Sequence, residues 1–245
     1  VGPTPACLPI TVDLAVTPDT STIDPFTLYD AGSSTFEAPL WTLDITPYIF
    51  TCADIPTTTI ELVASDILGR TGTCNATTTV FESVDPVPVC NNITVELDAS
   101  GAYTLTPADI AALSAGSSDN CTLAANLIVT AVPSSFDCGD VGLPQNVTVT
   151  VEDESGNEAS CTAQVTVNDS VPPVPPASPG IITVELLPNG TRTLTGAELV
   201  TLATGTTDNC AVDLPATTSD PVSFTCADIG TNSIAITVYD INGNS

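Results

Sequence analysis

The chain has 245 residues and a formal net charge of −27, because 29 Asp and Glu stand against 2 basic residues, with no histidine. The absence of His and Lys excludes histidine general bases, lysine Schiff bases and lysine-bearing phosphate loops. Because of this negative charge, the chain repels nucleic acid and anionic lipid. The 42% hydrophobic content is too high for a disordered acidic tail, and no run approaches the ~18 apolar residues of a membrane span.

Three copies of one sequence unit follow each other along the chain. They share a strand-like Ile-Thr-Val-acidic-Leu segment, a Gly-x-x-Asp-Asn-Cys segment in the second and third copies, and a Phe-x-Cys-x-Asp segment. In chain order these segments are residues 10–14, 50–55, 93–97, 116–121, 136–141, 182–186, 205–210 and 224–229. A period of roughly 87 residues is too long for a solenoid turn and suits a small domain.

The predicted domains are residues 1–84, 85–171 and 172–245. The proline-dense segments 85–88 and 171–176 form the joints, which should be short and stiff.

Alternating apolar residues predict half-buried strands within each copy, for example over 93–97, 147–151, 163–167 and 234–238. Capping-box patterns at Thr106/Asp109 and Thr195/Glu198 predict one short helix per domain. The polar segments 153–157 and 240–244 are typical of hairpin turns. The sequence therefore predicts an all-β chain of three tandem sandwich domains.

The third copy ends before the counterpart of the strand at residues 161–167. We expect the chain to be a fragment or a processed product. Two interpretations of the missing strand are open: it lies downstream, or another chain donates it and so forms a polymer.

The middle copy resembles a known family in the segments 90–97, 118–121, 135–142, 149–157 and 161–167. These are similar to the hyalin-type (HYR-like) immunoglobulin-like repeats of giant secreted Bacteroidota surface proteins, such as gliding adhesins exported by the type IX route. The first copy has Thr35-Phe36-Glu37 in place of Asp-Asn-Cys, and the third has Pro179 in place of the first cysteine. The resemblance implies immunoglobulin-like sandwiches, an extracellular or cell-surface location and a structural or adhesive role without catalysis.

Nine cysteines without histidine favour disulfides over a zinc site. Three connectivities are possible within the four-cysteine middle copy. Because the first and last strands of immunoglobulin-like sandwiches run parallel and adjacent, the resemblance favours one bond in each of the first two copies. The two remaining expected bonds close loops. The expected pairs are Cys7–Cys74, Cys90–Cys161, Cys121–Cys138 and Cys210–Cys226. This scheme leaves Cys52 without a partner.

Oxygen-rich turns suggest a calcium site, because calcium takes only oxygen ligands. The predicted ligands lie in two equivalent turns and one joint: Asp153, Glu154, Asn157, Asp240, Asn242 and Asp85. The acidic residues Glu82 and Asp169 at the joints could contribute. The alternative is that Asp, Asn and Gly simply form turns.

Three aromatic residues are peculiar to the first copy: Trp41, Tyr29 and Tyr48. They could form a patch that binds a glycan, although aromatic residues in strands more often belong to the core.

The leading hypothesis is a structural stalk of an extracellular filament or giant surface adhesin. Its partners would be neighbouring repeats of the same protein, or further subunits of a homopolymer or filament. The alternative is an adhesin module that binds a surface glycan or protein through the first copy. Nucleic acid, a membrane span and enzymatic activity are not expected.

Overall fold

The computed structural model describes residues 2–15, 20–31, 34, 40–177 and 180–245. The chain forms two compact units. Unit 1 comprises Val1–Cys90, Ser114–Thr130 and Val149–Cys161, and unit 2 comprises Asn91–Leu113, Ala131–Thr148 and Thr162–Ser245. Both units include part of the second sequence repeat, so the domain boundaries at 84/85 and 171/172 stay a prediction.

The first repeat is built around a four-stranded sheet. Its elements are β1 (Ile10–Asp13), β2 (Thr20–Thr22), α1 (Pro25–Leu28), β3 (Leu40–Thr46), β4 (Ile49–Thr51), β5 (Thr57–Asp66) and β6 (Thr71–Phe81). The sheet order is β1-β6-β5-β3, and β2 pairs with β4 in a second, two-stranded sheet. Strand β1 runs parallel to β6, whereas β5 and β6 form an antiparallel hairpin. The fully buried side chains of Leu14, Leu28, Phe50, Ile60 and Leu62 form the centre of its core.

The second repeat has the same topology. Its elements are β7 (Ile93–Glu96), β8 (Ala102–Thr104), α2 (Pro107–Leu113), β9 (Ile128–Val132), β10 (Ser135–Asp137), β11 (Gln145–Glu152) and β12 (Glu158–Asn168). The sheet order is β7-β12-β11-β9, β7 runs parallel to β12, and β8 pairs with β10. Since this order matches β1-β6-β5-β3, the sequence repeat is also a structural repeat.

The third repeat contains two two-stranded sheets. Its elements are β13 (Thr191–Thr193), α3 (Gly196–Ala203), β14 (Val212–Asp220), β15 (Ser223–Thr225) and β16 (Ala235–Asp240). Strand β13 pairs with β15, and β14 pairs with β16. Leu194, Leu199 and Phe224 form the buried core of this repeat.

The alternation read from the sequence corresponds to burial. The side chains of Val147, Val149 and Val151 have no exposed surface, and the residues between them face outward or are half-buried. The predicted capping box of α3 is present, since Thr195 and Glu198 each accept a hydrogen bond from the other's backbone amide. The predicted turns at 153–157 and 240–244 are closed by backbone hydrogen bonds from Asp153 to Asn157 and from Asp240 to Asn244.

One segment differs from its counterparts in the first two repeats. Residues 182–186 match β1 and β7 in sequence but form no strand. Strands β1 and β7 each pair with the last strand of their repeat, and residues 180–245 contain no strand after β16. Without that neighbour the backbone groups have no ladder to join. Ile182, Val184 and Leu186 nevertheless pack against the core of the third repeat.

Strand makes up 43% and helix 12% of the described residues, so the fold is all-β, with tandem immunoglobulin-like sandwich units. Within residues 180–245 the third repeat has no strand after β16. No helix among the described residues is long and apolar enough to cross a membrane.

Candidate functional site

The recurring Phe-x-Cys-x-Asp segment forms a rigid turn that presents a cysteine. In each repeat the phenylalanine is buried, with Phe50, Phe136 and Phe224 at most 9% exposed. The cysteine then begins a 3₁₀ turn, at Cys52–Asp54, Cys138–Asp140 and Cys226–Asp228. The final Asp accepts a hydrogen bond from the backbone amide of the residue before the cysteine, and that residue's side chain caps the turn in return. This capping box fixes the direction of the cysteine.

The Asp-Asn-Cys segment forms a second rigid loop. Asp119 Oδ2 accepts the backbone amides of Cys121 at 2.8 Å and Thr122 at 2.7 Å. In the third repeat Asp208 Oδ2 accepts those of Cys210 at 2.9 Å and Ala211 at 3.1 Å. An aspartate that accepts hydrogen bonds from the backbone amides two and three residues later holds the loop in one conformation.

Two disulfides join these two motifs across successive repeats. Cys52 of the first repeat is bonded to Cys121 of the second, within unit 1. Cys138 of the second repeat is bonded to Cys210 of the third, within unit 2. The turn of one repeat therefore meets the Asp-Asn-Cys loop of the next repeat.

This pairing corrects two of the expected bonds. Cys121 is not bonded to Cys138, Cys210 is not bonded to Cys226, and Cys52 has a partner after all. Cys226 is a free, exposed cysteine.

Two further disulfides lie within single repeats. The structure contains Cys7–Cys74 and Cys90–Cys161, the two bonds expected from parallel first and last strands. Strands β1 and β6 are parallel neighbours, as are β7 and β12. The two cysteines of each bond therefore lie on neighbouring parallel segments of the chain.

An acidic cluster lies beside the first inter-repeat disulfide, within unit 1. One carboxylate oxygen from each of Glu82, Asp119 and Asp153 lies within 4.8 Å of the others. Glu82 is 3% exposed and Asp153 is 2% exposed. The Asn157 amide donates to Glu82 Oε2 at 3.0 Å and to Asp153 Oδ2 at 2.7 Å, so it holds the linker glutamate against the turn.

Unit 2 contains an equivalent cluster of Asp169, Asp208 and Asp240. Asp169 is 9% exposed and Asp240 is 2% exposed. The Asn242 amide donates to Asp169 Oδ2 at 2.7 Å, and the Asn244 amide donates to Asp240 Oδ2, also at 2.7 Å. Each cluster thus combines one acid from a linker, one from an Asp-Asn-Cys loop and one from a hairpin turn.

The negative charge of the first cluster is only partly compensated by the protein. Burial, together with the charges of Asp119 and Asp153, raises the pKa of Glu82 from 4.5 to about 7, although the hydrogen bond from the Val84 amide to this carboxyl opposes the rise. Burial also opposes ionisation of Asp153, but hydrogen bonds, led by that of Asn157, lower its pKa overall.

One residue of each cluster has a carboxylate oxygen that lacks a hydrogen-bond donor. The Oδ1 atoms of Asp119 and Asp208 are buried and accept no hydrogen bond. Both arginines of the chain pair elsewhere, Arg70 with Asp66 at 2.7 Å and Arg192 with Glu198 at 2.6 Å. Such oxygens, and the lack of a cationic side chain beside them, fit a divalent cation that takes oxygen ligands.

The structure brings only some of the predicted calcium ligands together. Asp153 and Asp240 are cluster members, and Asn157 and Asn242 donate hydrogen bonds into the clusters. Glu154 accepts a hydrogen bond from Asn126 outside the cluster. Asp85 is exposed and also lies outside it.

Sequence reasoning missed Asp119 and Asp208 as candidate ligands. Their signal is the Asp-Asn-Cys motif, which occurs in both the second and the third repeat.

The first repeat has a turn of the same type with a different charge balance. Asp66 Oδ1 accepts the amides of Leu68 and Arg70, just as Asp153 Oδ1 accepts those of Ser155 and Asn157. The Arg70 guanidinium donates to Asp66 Oδ2 at 2.7 Å, where Asn157 donates to Asp153. This turn therefore carries its own cation.

The predicted aromatic patch is only partly described by the structure. Tyr29 is half-buried and packs against the first core, and Tyr48 is 57% exposed. The side chain of Trp41 lies outside the described part of the chain. Glycan binding by these residues stays a prediction.

Comparisons with known proteins gave one family match over part of the chain and several distant structural similarities. A family model of the HYR domain matches residues 108–167. No curated protein matches the chain. Similar solved structures include human mucin-like protocadherin EC1-2, with 15% identity, a TM-score of 0.36, and 68% of this chain and 98% of that chain covered. Drosophila N-cadherin EC1-4 has 9% identity and a TM-score of 0.38, and the similarity covers 69% of this chain and 50% of that chain. The chain spans 33% of the protocadherin GammaB4 extracellular domain, at 11% identity over 69% of this chain and a TM-score of 0.36.

The HYR match over residues 108–167 and the disulfides support an adhesion-type structural module of a secreted or surface protein.

Proposed function

We propose that the chain is a load-bearing stalk segment of an extracellular filament or giant surface adhesin. The observation that carries this proposal is the overlap of the four disulfide loops. Their end points are residues 7 and 74, 52 and 121, 90 and 161, and 138 and 210. Because each loop begins before the previous one ends, every peptide bond from Cys7 to Cys210 is bridged by at least one disulfide.

Covalent overlap of this kind serves a tether exposed to tension and proteases. A single backbone cut between Cys7 and Cys210 leaves the two fragments joined, and pulled repeats cannot separate further than the disulfides allow. The net charge of −27 also opposes sideways association of neighbouring stalks. The resemblance to HYR-like repeats supports a giant secreted parent of the Bacteroidota type, exported by the type IX route and built from further repeats of the same kind.

Electron microscopy of the producing cells tests this role. Antibodies against the chain should label extended surface structures with a bead for each repeat. Labelling of compact particles without a repeating substructure would contradict the stalk.

We also infer that calcium stiffens the joints through the two acidic clusters. Three carboxylates meet in each cluster, four of the six residues are at least nine-tenths buried, and each Asp-Asn-Cys aspartate has an unpaired buried oxygen. Bringing like charges together in a buried site costs free energy unless protons or a cation compensate them. A bound cation would connect the linker, the loop of one repeat and the turn that follows it.

Calcium titration of the intact chain tests this inference. Extracellular calcium modules bind with dissociation constants of about 10⁻⁴–10⁻³ M. Calcium at 100 times its Kd would stabilise the fold by about 2.7 kcal/mol. The D153N/D240N variant should lose both the binding heat and the rise in Tm, whereas the exposed control D44N should retain them. Equal calcium responses in D153N/D240N and D44N would contradict the site.

A further inference from the structure

The third repeat carries an unoccupied copy of the surface that forms both inter-repeat bonds. We define the Cys226 surface as Cys226, Ile229 and the turn at residues 187–190. Its counterpart in the second repeat is Cys138, Val141 and the turn at residues 98–101. That counterpart is covered by the Asp-Asn-Cys loop of the next repeat, so it shows which contacts the surface can make.

In the occupied surface the turn receives the loop at close range. The Asn209 amide donates to the Asp98 carbonyl oxygen at 3.2 Å, and Cys138 Sγ lies 3.6 Å from the Asn209 carbonyl oxygen. A Cβ atom on Gly101 would lie 2.5 Å from that same oxygen and 2.8 Å from Cys138 Sγ. Glycine is therefore required where the loop approaches. At the first inter-repeat bond Cys52 Sγ lies 3.8 Å from the Asn120 carbonyl oxygen, so the contact recurs.

The Cys226 surface has the same geometry without the loop. Gly190 has φ +80°, compared with +75° for Gly101. Cys226 Sγ lies 3.7 Å from the Gly190 carbonyl oxygen, compared with 3.6 Å between Cys138 Sγ and the Gly101 carbonyl oxygen. The Leu187 carbonyl occupies the place of the Asp98 carbonyl, because each accepts the amide of the glycine three residues later. The sulfur and the acceptor are thus already positioned for a partner.

Exposure distinguishes this surface from the occupied ones. Cys52 and Cys138 are half-buried, as are Ile55 and Val141 three residues later. Cys226 is exposed, and Ile229 is 79% exposed.

We propose that the Cys226 surface docks the Asp-Asn-Cys loop of a repeat outside residues 1–245 and forms a disulfide with its cysteine. Both Asp-Asn-Cys cysteines of this chain, Cys121 and Cys210, are already bonded, so neither supplies the partner. The loop's asparagine amide donates to the Leu187 carbonyl, and its cysteine meets Cys226 Sγ beside Gly190.

The bond forms by thiol–disulfide exchange with a small-molecule disulfide such as glutathione disulfide. The Cys226 thiolate attacks one sulfur of this oxidant and expels one thiolate, which leaves a mixed disulfide. The partner's cysteine thiolate then attacks Cys226 Sγ and expels the second thiolate. Two protein thiols lose two electrons and two protons, and one small-molecule disulfide becomes two thiols.

Disulfide mapping of the parent polypeptide tests the proposal. The protein is alkylated with N-ethylmaleimide, digested without reduction and analysed by mass spectrometry. Cys226 should be linked to a peptide that contains Asp-Asn-Cys, and its alkylated fraction should be at most about a tenth. A largely alkylated Cys226, a Cys226–Cys226 bond, or a bond to a cysteine without the preceding Asp-Asn overturns the proposal.

A pair of glycine variants adds a test of the docking geometry. In the parent protein, Gly190→Ala places a methyl group 3.1 Å from Cys226 Sγ and should raise the alkylated fraction of Cys226 severalfold. Gly243→Ala is the matched control, because Gly243 also has positive φ but has no atom within 4 Å of an added Cβ. Circular dichroism of both variants confirms that each is folded. Equal alkylation of Cys226 in the two folded variants overturns the proposed docking mode.

Discussion

Removal of the Cys138–Cys210 bond should lengthen the fully stretched chain by a defined amount. In the oxidised chain held at its two ends, two covalent paths are equally short, because Cys52–Cys121 can replace Cys90–Cys161. One of them uses Cys7–Cys74, Cys90–Cys161 and Cys138–Cys210. Load then passes through residues 1–7, 74–90, 138–161 and 210–245, about 80 residues, or about 280 Å at ~3.5 Å per residue. In C138A/C210A the path after Cys161 follows the backbone to residue 245, so the contour grows by about 90 Å.

Single-molecule force spectroscopy under non-reducing conditions measures this length. The matched control is C52A/C121A, which removes the other inter-repeat bond. Its contour should not change, because the path through the remaining three disulfides is intact. A gain of about 55 Å in C138A/C210A would instead indicate that the wild-type chain contains a Cys210–Cys226 bond, and no gain would refute the overlapping loops.

Three other predictions concern single residues. Burial raises the pKa of Glu82 from 4.5 to about 7, so the folded chain retains a proton that the unfolded chain releases. The free energy of unfolding should therefore fall between about pH 4.5 and pH 7, by at most about 3 kcal/mol, and Glu82→Gln should remove this fall in urea titrations. Phe136→Ala should cost about 3–5 kcal/mol of unfolding free energy in urea denaturation, since its side chain is 5% exposed. Thr195→Ala should cost about 1 kcal/mol in the same assay, because it removes the cap of α3.

Each of these predictions has a result that would contradict it. The Glu82 reasoning fails if wild type and Glu82→Gln have parallel stability profiles across that pH window. The Phe136 reasoning fails if the exposed control Phe26→Ala, at 69% exposure, costs as much. The Thr195 reasoning fails if Thr195→Ser is as destabilising as Thr195→Ala, because serine can also cap a helix.

The sequence by itself determined the all-β class, the internal repeat and most local elements. Alternation of valines defines β11 and β12, and the Thr195/Glu198 pattern begins α3, because these features depend on residues within a few positions of each other. The hairpin turn at Asp153 could be predicted for the same reason. The segment 182–186 shows the limit of local pattern, since it has strand composition but no neighbouring strand to pair with.

Only the tertiary structure decided which cysteines meet and which acids form a cluster. The within-repeat bond Cys90–Cys161 separates its cysteines by 71 residues, and the inter-repeat bond Cys138–Cys210 separates them by 72. In a repeating sequence every cysteine has an equivalent one period away, so spacing cannot distinguish pairing within a repeat from pairing with the next. Glu82, Asp119 and Asp153 likewise come from three distant segments. The burial of Glu82 and Asp153, and hence the raised pKa of Glu82, exists only because the linker, the loop and the turn pack together.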